Sequence, residues 1–192
     1  MGEFVPYEEV DHTADYALVA RGRTFPELLL NASVGLCHLL ADVAALPAPA
    51  ERRAVRARAP SRERLLVGWL RELLFLHETE DVAFSAIGLD DVRDSLDPGP
   101  APRQPAGQAP GPALAPRRLV GQAARLPSTP PGTPLGDGLR PAPALAASGW
   151  ADLVPADAAP DALRAQLKAV TYHDLEIEEN HGLLQVRIVF DT

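Results

Sequence analysis

Carboxylates near the two ends of the chain are the groups whose type and position could do chemistry. Asp15 ends the polar stretch at residues 11–15 between two short predicted strands, and Asp191 precedes Thr192, whose main-chain carboxylate would add a second acidic group at the chain end. Oxygen ligands of this kind suit hard cations such as Ca²⁺ or Mg²⁺. The same pattern also fits a turn or cap role for Asp15 and a solvated terminal charge for Asp191. The residues alone therefore leave both interpretations open.

Other reactive motifs are missing from the sequence. It contains no HExxH or CxxC spacing, no Gly-rich phosphate loop between a strand and a helix, and no GxSxG nucleophile motif. His12 or His173 by itself is more often a structural or solvated histidine than a general base. Cys37 lies among leucines, where a free thiol is usually a small buried hydrophobe. We therefore expect no catalytic residue and no enzyme.

The composition argues against direct binding of nucleic acid. The formal net charge is -8 and the isoelectric point is near 5.1, whereas neutralising phosphates needs clustered Lys and Arg. A single cysteine cannot form an internal disulfide, and neither a leader segment nor a long apolar span is apparent. These features predict a cytoplasmic protein without a membrane partner, connected to RNA only indirectly.

Hydrophobic periodicity predicts two helices and several strands. Helical spacing of apolar residues follows the capping residues Thr24 and Ser61, which indicates two amphipathic helices. Alternating apolar residues predict strands over residues 4–10, 16–20, 52–59 and 82–89, and a long hairpin from 167 to 191 with its turn at 179–182.

The strand over residues 52–59 has a basic face. Arg56 and Arg58 alternate with Val55, Ala57 and Ala59, which is typical of a half-buried strand with a solvated side, and an edge position would suit it. A basic patch that meets RNA or a partner is the alternative interpretation.

A region rich in Pro, Ala and Gly interrupts this pattern. Fifteen of the chain's 20 prolines fall between about residues 97 and 160, where few large apolar side chains occur. We expect a long flexible insertion there, within which residues 118–126 could still add a strand. The whole chain, 1–192, is then predicted to be a single α+β domain. Its predicted form is a two-layer sandwich, with two helices on one face of a mixed β-sheet and the insertion before the C-terminal hairpin.

Four sequence segments, in this order, resemble the archease family. The chain reads HTAD at residues 12–15, LLVGWLRELLFL at 65–76, KAVTYH at 168–173 and VFDT at 189–192. The long insertion departs from typical members, as does a terminal Thr where many members end in Ile. The resemblance covers most of the chain outside the insertion.

The resemblance implies a divalent metal site. Its ligands would be Asp15, Asp191 and the carboxylate of Thr192, with Ca²⁺ as the expected ion and Mn²⁺ or Mg²⁺ as alternatives. His12, Lys168 and His173 would contact a partner or a phosphate. Lys168 is the only lysine beside 17 arginines, which suggests that a compact ammonium is wanted there, although a surface lysine without a role fits equally.

The resemblance also implies a partner, the RtcB-type RNA-splicing ligase. Archeases promote guanylylation and multiple turnover of that ligase and broaden its use of nucleotides, so catalysis would belong to the partner. A chaperone-like module that binds a nucleic-acid-modifying enzyme without using metal is the alternative. A metal-dependent hydrolase acting alone is disfavoured, because no base or nucleophile accompanies the carboxylates.

Overall fold

The computed structural model describes residues 4–11, 16–94, 145–172 and 175–192. These residues belong to one compact unit, which spans Met1–Asp97 and Ala142–Thr192. Its helices are α1 (Phe25–Leu40) and α2 (Arg62–Glu80). Its strands are β1 (Tyr7–Asp11), β2 (Tyr16–Gly22), β3 (Glu51–Ala59), β4 (Val82–Asp94), β5 (Leu145–Pro155), β6 (Ala169–Val170), β7 (Ile177–Asn180) and β8 (Leu183–Asp191).

Both helices begin at the predicted capping residues. The Thr24 hydroxyl accepts a hydrogen bond from the Glu27 backbone N–H, and the Ser61 hydroxyl accepts one from the Arg64 N–H, each at 3.3 Å. These contacts satisfy N–H groups that have no partner within the helix. Asp81 follows the last residue of α2, and its left-handed φ of 50° prevents the helix from continuing. Neither helix is long and apolar enough to span a membrane.

The strands form two antiparallel sheets among the described residues. One sheet has the order β1-β2-β8-β6, with β7 also paired to β8, and the other has the order β3-β5-β4. Helix α1 packs against β2 of the first sheet and β4 of the second, while α2 packs against β3 and β6. Each helix therefore contacts both sheets, and one hydrophobic core fills the space between the layers.

Trp69 of α2 lies at the centre of this core and is fully buried. Its indole N–H donates to the Ser33 hydroxyl at 2.9 Å, and that hydroxyl donates to the Leu29 carbonyl at 2.7 Å. A buried polar atom is costly unless it is hydrogen-bonded. The chain of two bonds removes this cost and fixes how α2 packs against α1.

The α+β class and the two helices are confirmed. The edge position predicted for the basic strand is also confirmed, because β3 pairs only with β5 among the described strands. The strands lie in two antiparallel sheets, where the sequence suggested one mixed sheet.

The predicted insertion is too long at its C-terminal end. Residues 145–155 form β5, the middle strand of the three-stranded sheet, and two short 3-10 turns follow it. The alanines and the glycine of β5 suggested a segment without a core, but Ala147 and Ala151 are buried, and a Cβ at Gly149 would collide with the Gly88 carbonyl oxygen of β4. The possible strand at 118–126 lies outside the described residues.

The C-terminal hairpin is confirmed, but its first strand is shorter than predicted. β7 and β8 are joined by His181 and Gly182, which both have positive φ, at 54° and 75°. β6 is separate from β7 because it pairs with the opposite end of β8, where Ala169 lies opposite Asp191.

Candidate metal and partner site

The end of β8 carries the one predicted aspartate ligand that the structure describes. Asp191 and Thr192 are both exposed, directly after the fully buried Phe190. Alternation along the strand explains this, because Phe190 points into the core and the next side chain leaves it. The carboxylate of Asp191 is therefore anchored by a rigid strand and open to solvent.

Strand β2, which begins one residue after Asp15, starts at the end of the sheet where β8 ends. Tyr16, the residue after Asp15 in the sequence, lies opposite Phe190 in the antiparallel register of β2 and β8. From this position the pairing continues without interruption to Gly22 and Leu184. The start of β2 and the end of β8 are thus fixed beside each other by seven consecutive residue pairs.

Lys168 lies on the other side of Asp191. Its backbone N–H donates to the Asp191 carbonyl at 2.9 Å, just before β6 begins at Ala169. The Lys168 side chain is exposed and forms no ion pair with any carboxylate in the described ranges. A cation and a carboxylate therefore project from neighbouring strand ends without neutralising each other.

The other predicted site residues, His12, Asp15 and His173, lie outside the described residues. Among the residues that are described, no group of three or more His, Cys, Asp or Glu side chains could hold a metal ion. Asp191 and Thr192 offer only oxygen atoms, which fits a hard cation, but Ca²⁺ takes six to eight oxygen ligands. Further ligands would have to come from elsewhere, and the metal site stays a prediction.

A groove next to Lys168 was missed by the sequence analysis. Its volume is about 420 Å³, and its lining includes Arg71 and Phe75 of α2 together with Lys168. Phe75 is 60% exposed, although its neighbours on the helix belong to the core. Nearby, the Arg71 guanidinium lies 4.9 Å from the Tyr172 ring centroid and donates to the Val170 carbonyl at 3.3 Å. The i, i+4 spacing of Arg71 and Phe75 was the available signal for this surface.

The free cysteine is confirmed as a core residue. Cys37 is buried in α1, and burial raises the pKa of its thiol to about 12. Because the thiolate is the reactive form, this thiol is inert at neutral pH.

Comparison with known proteins shows the fold and a similarity to one protein family. A model of the Archease protein family (MTH1598/TM1083) matches residues 7–98, the part of the chain from β1 to the end of β4. The Protein archease of Methanosarcina barkeri is 34% identical over 88 residues, which are 46% of this chain and 60% of that protein. The chain thus spans about three fifths of the length of this relative.

Two further similarities extend over nearly the whole chain. The Protein archease of Methanothermobacter thermautotrophicus is 26% identical over 187 residues, covering 96% of this chain and 97% of that protein. The solution structure of Methanobacterium thermoautotrophicum protein 1598 aligns with a TM-score of 0.60 and 24% identity, covering 97% of this chain and 99% of that structure. The matched segment holds both helices and the first four strands, and the full-length alignment adds the C-terminal hairpin. This chain is therefore similar to archeases in sequence over about half of its length and in fold over nearly all of it.

Proposed function

We propose that this protein is a non-enzymatic, metal-binding activator of an RtcB-type RNA-splicing ligase. It would promote guanylylation of the ligase, support multiple turnover and broaden the use of nucleotides. RNA would be reached only through the ligase. Similarity to the archease family supports this proposal, together with the exposed carboxylate at the end of β8.

The observation that carries the proposal is the register between β2 and β8. Tyr16 lies opposite Phe190. Asp15 precedes Tyr16 in the sequence and Asp191 follows Phe190, so each aspartate is next to one residue of this pair. Two aspartates next to this residue pair would form the basis of a site for Ca²⁺, with Mn²⁺ or Mg²⁺ as alternatives. The carboxylate of Thr192 is the third ligand implied by the family resemblance.

The residues of this chain would act by position and charge. Asp191, at the end of a rigid strand, would present its carboxylate outward, and the bound cation would supply positive charge for the phosphates of the ligase reaction. Lys168 would contact a partner carboxylate or a phosphate, because its ammonium is exposed and unpaired among the described residues. His12 and His173 are further proposed contacts.

The decisive experiment measures guanylylation of the cognate ligase with GTP and Mn²⁺. Wild-type protein, Asp15→Ala, Asp191→Ala and the control Asp157→Ala would be added in turn; Asp157 is exposed in a 3-10 turn after β5. We expect acceleration by wild type and the control, and none by the two site variants. Binding of Ca²⁺, followed by titration calorimetry, should be lost in the same two variants.

Failure of wild type to accelerate guanylylation would overturn the activator function. Equal acceleration by all four proteins would instead remove the metal from the mechanism. Loss of acceleration with Ca²⁺ binding intact would place the aspartates in the contact with the ligase and not in a metal site.

A chaperone-like binding module is the second candidate. The exposed Phe75 lines the groove that contains Lys168, and the exposed Tyr172 lies beside Arg71 of the same groove. Aromatic side chains are frequent in protein interfaces. Such a module would lose its effect on the partner when Phe75 is replaced by Ser and would tolerate removal of the Asp15 and Asp191 carboxylates. The metal-dependent activator has the opposite sensitivity to the aspartate changes.

A further inference from the structure

The edge of β3 is regular in a way that the other edge of its sheet is not. β3 pairs with β5 through nine consecutive residues, from Glu51 opposite Leu153 to Ala59 opposite Leu145, without a register shift. β4, at the opposite edge, has two irregularities, between Phe84 and Ala86 and between Leu89 and Asp91. Bulges discourage the addition of another strand. The straight β3 edge lacks that protection.

Charge on β3 is neutralised over its first half only. Arg52 is bound by both carboxylate oxygens of Asp152, at 2.7 and 2.9 Å. Arg53 pairs with Glu51 at 2.9 Å and with Glu80 at 2.7 Å. The side chains of the second half behave differently.

Arg56 and Arg58 are exposed and form no ion pair with any described carboxylate. Their partners across the strand pair are Ser148 and Ala146, which carry no charge. Because residues two apart share a face of the sheet, both guanidinium groups project from the side opposite Ala57, which is buried. The second half of β3 therefore offers two uncompensated positive charges along an edge that pairs with no other described strand.

A second copy of this chain does not complement that edge. A two-fold pairing centred on Ala57 would set Arg56 of one copy opposite Arg58 of the other, and like charges directly opposite destabilise a strand pair. Residues 95–144 of the same chain do not complement it either, since they contain five arginines but only two aspartates and no glutamate. Charge complementarity thus favours an acidic segment from another protein.

We propose that the edge of β3 binds an extended acidic polypeptide segment of a partner protein, which adds a fourth strand to the β3-β5-β4 sheet and places carboxylates beside Arg56 and Arg58. Main-chain hydrogen bonds give such an added strand its affinity, and alternate side chains give it specificity. This proposal concerns a surface other than the predicted metal site and does not depend on the proposed function.

Single-stranded RNA is a weaker fit to the same face. Trp150 is the one described aromatic side chain of β5, but the Arg52 guanidinium already covers its ring at 3.6 Å from the centroid. A base therefore has no open aromatic face on which to stack there.

The test uses a fluorescein-labelled peptide, Thr-Glu-Val-Glu-Val-Glu-Thr, and the full-length protein. Its glutamates fall at every second position and so face one side of a strand, as Arg56 and Arg58 do. A matched peptide has Gln in place of Glu, and a third has N-methyl groups at alternate residues, which remove backbone donors. Binding is measured by fluorescence anisotropy, and hydrogen exchange locates the contact.

Two protein variants with the same change in net charge distinguish binding at the β3 edge from an effect of the overall charge of the protein. The double variant Arg56→Glu, Arg58→Glu reverses the charge of the β3 edge. The double variant Arg23→Glu, Arg187→Glu reverses the charge at two exposed positions of the other sheet, one just after β2 and one on β8. Circular dichroism confirms that each variant is folded. Both pairs of substitutions change only exposed side chains.

We expect the Glu peptide to bind wild type and the control variant equally, and to bind the β3 variant about tenfold more weakly or worse, as two lost ion pairs would predict. The Gln and N-methyl peptides should also bind more weakly, and exchange should slow within residues 51–59. The proposal is overturned by no binding of the Glu peptide, by equal binding to both variants, or by protection outside β3. Tighter binding of a labelled oligouridine than of the peptide, lost in the β3 variant, would assign the surface to RNA instead.

Discussion

The two sheets depend on different kinds of contact. In the five-stranded sheet, β7 and β8 are neighbours in the sequence and are joined by a two-residue turn. In the three-stranded sheet, β5 pairs with β3 and β4, which both lie far from it along the chain. Local sequence signals therefore specify the first sheet in part, whereas the second depends on side chains that meet only in the folded protein.

The side chains that hold the three-stranded sheet together meet on its outer face. The Arg52 guanidinium is held by Asp152 and lies over the Trp150 ring. That ring in turn lies against Gly88 of β4, where a Cβ atom would be only 2.5 Å from ring carbons. Glycine at this position lets the indole cross from β5 onto β4, so one aromatic ring links all three strands.

The largest expected effect on stability comes from filling the space between Gly88 and the Trp150 ring. Gly88→Ala should lower the free energy of unfolding by about 2 kcal/mol, because the added methyl group must displace a large side chain that is held on its other face. Denaturant unfolding followed by tryptophan fluorescence measures the change. Gly68→Ala in α2 is the matched control, since a Cβ there meets nothing within 4 Å.

The control should change stability in the opposite direction. Alanine is favoured over glycine inside a helix, so Gly68→Ala should raise the free energy of unfolding by about 0.5–1 kcal/mol. Equal effects of the two substitutions would show that Trp150 does not fix the three strands as argued.

A smaller effect is expected in the local hairpin of the other sheet. Gly182 has a φ of 75°, a conformation that disfavours a side chain, so Gly182→Ala should cost about 1 kcal/mol. His181→Asn should be neutral or slightly stabilising, because Asn tolerates positive φ and Asn-Gly is the preferred pair in such turns. Thermal unfolding of both variants measures the contrast. If Gly182→Ala lowered the stability more than Gly88→Ala, the proposed difference between the two sheets would be contradicted.

Sequence reasoning succeeded where a signal is local. Thr24 and Ser61 located both helix starts, and the positive-φ pair after Asn180 lies in the predicted turn. It failed at β5, because alanines and glycine near many prolines indicate a loop when their partners are unknown. The need for glycine at position 149 appears only when β4 lies beside β5, and no local window contains that strand.

The candidate site was predicted by resemblance and not by pattern. Periodicity located β8 and its exposed end at Asp191, but nothing in the residues between showed that β2 would lie beside it. The register of Tyr16 with Phe190 supplies that step. The groove containing Phe75 was missed because it forms between α2 and the segment at Lys168, which lie far apart in the sequence.

The smallest effect concerns the pH dependence of the three-stranded sheet. The hydrogen bonds from Arg52 lower the pKa of Asp152 below its ordinary value, and the nearby charge of Arg52 acts in the same direction. A carboxyl group with a lowered pKa in the folded state contributes stability above its unfolded pKa, about 4, and that contribution is lost as the pH falls through the folded pKa. Wild type should therefore lose stability on acidification partly through this one group.

Asp152→Asn keeps the shape of the side chain and removes its charge. The variant should be less stable than wild type at pH 7, and the difference should shrink as the pH is lowered below about 4, where wild type loses the same charge. Urea unfolding at several pH values measures this difference. Asp157→Asn, at an exposed aspartate without an ion pair among the described residues, should show no such trend. A difference for Asp152→Asn that stays constant down to about pH 2 would mean that the shape of the contact, and not its charge, joins β3 to β5.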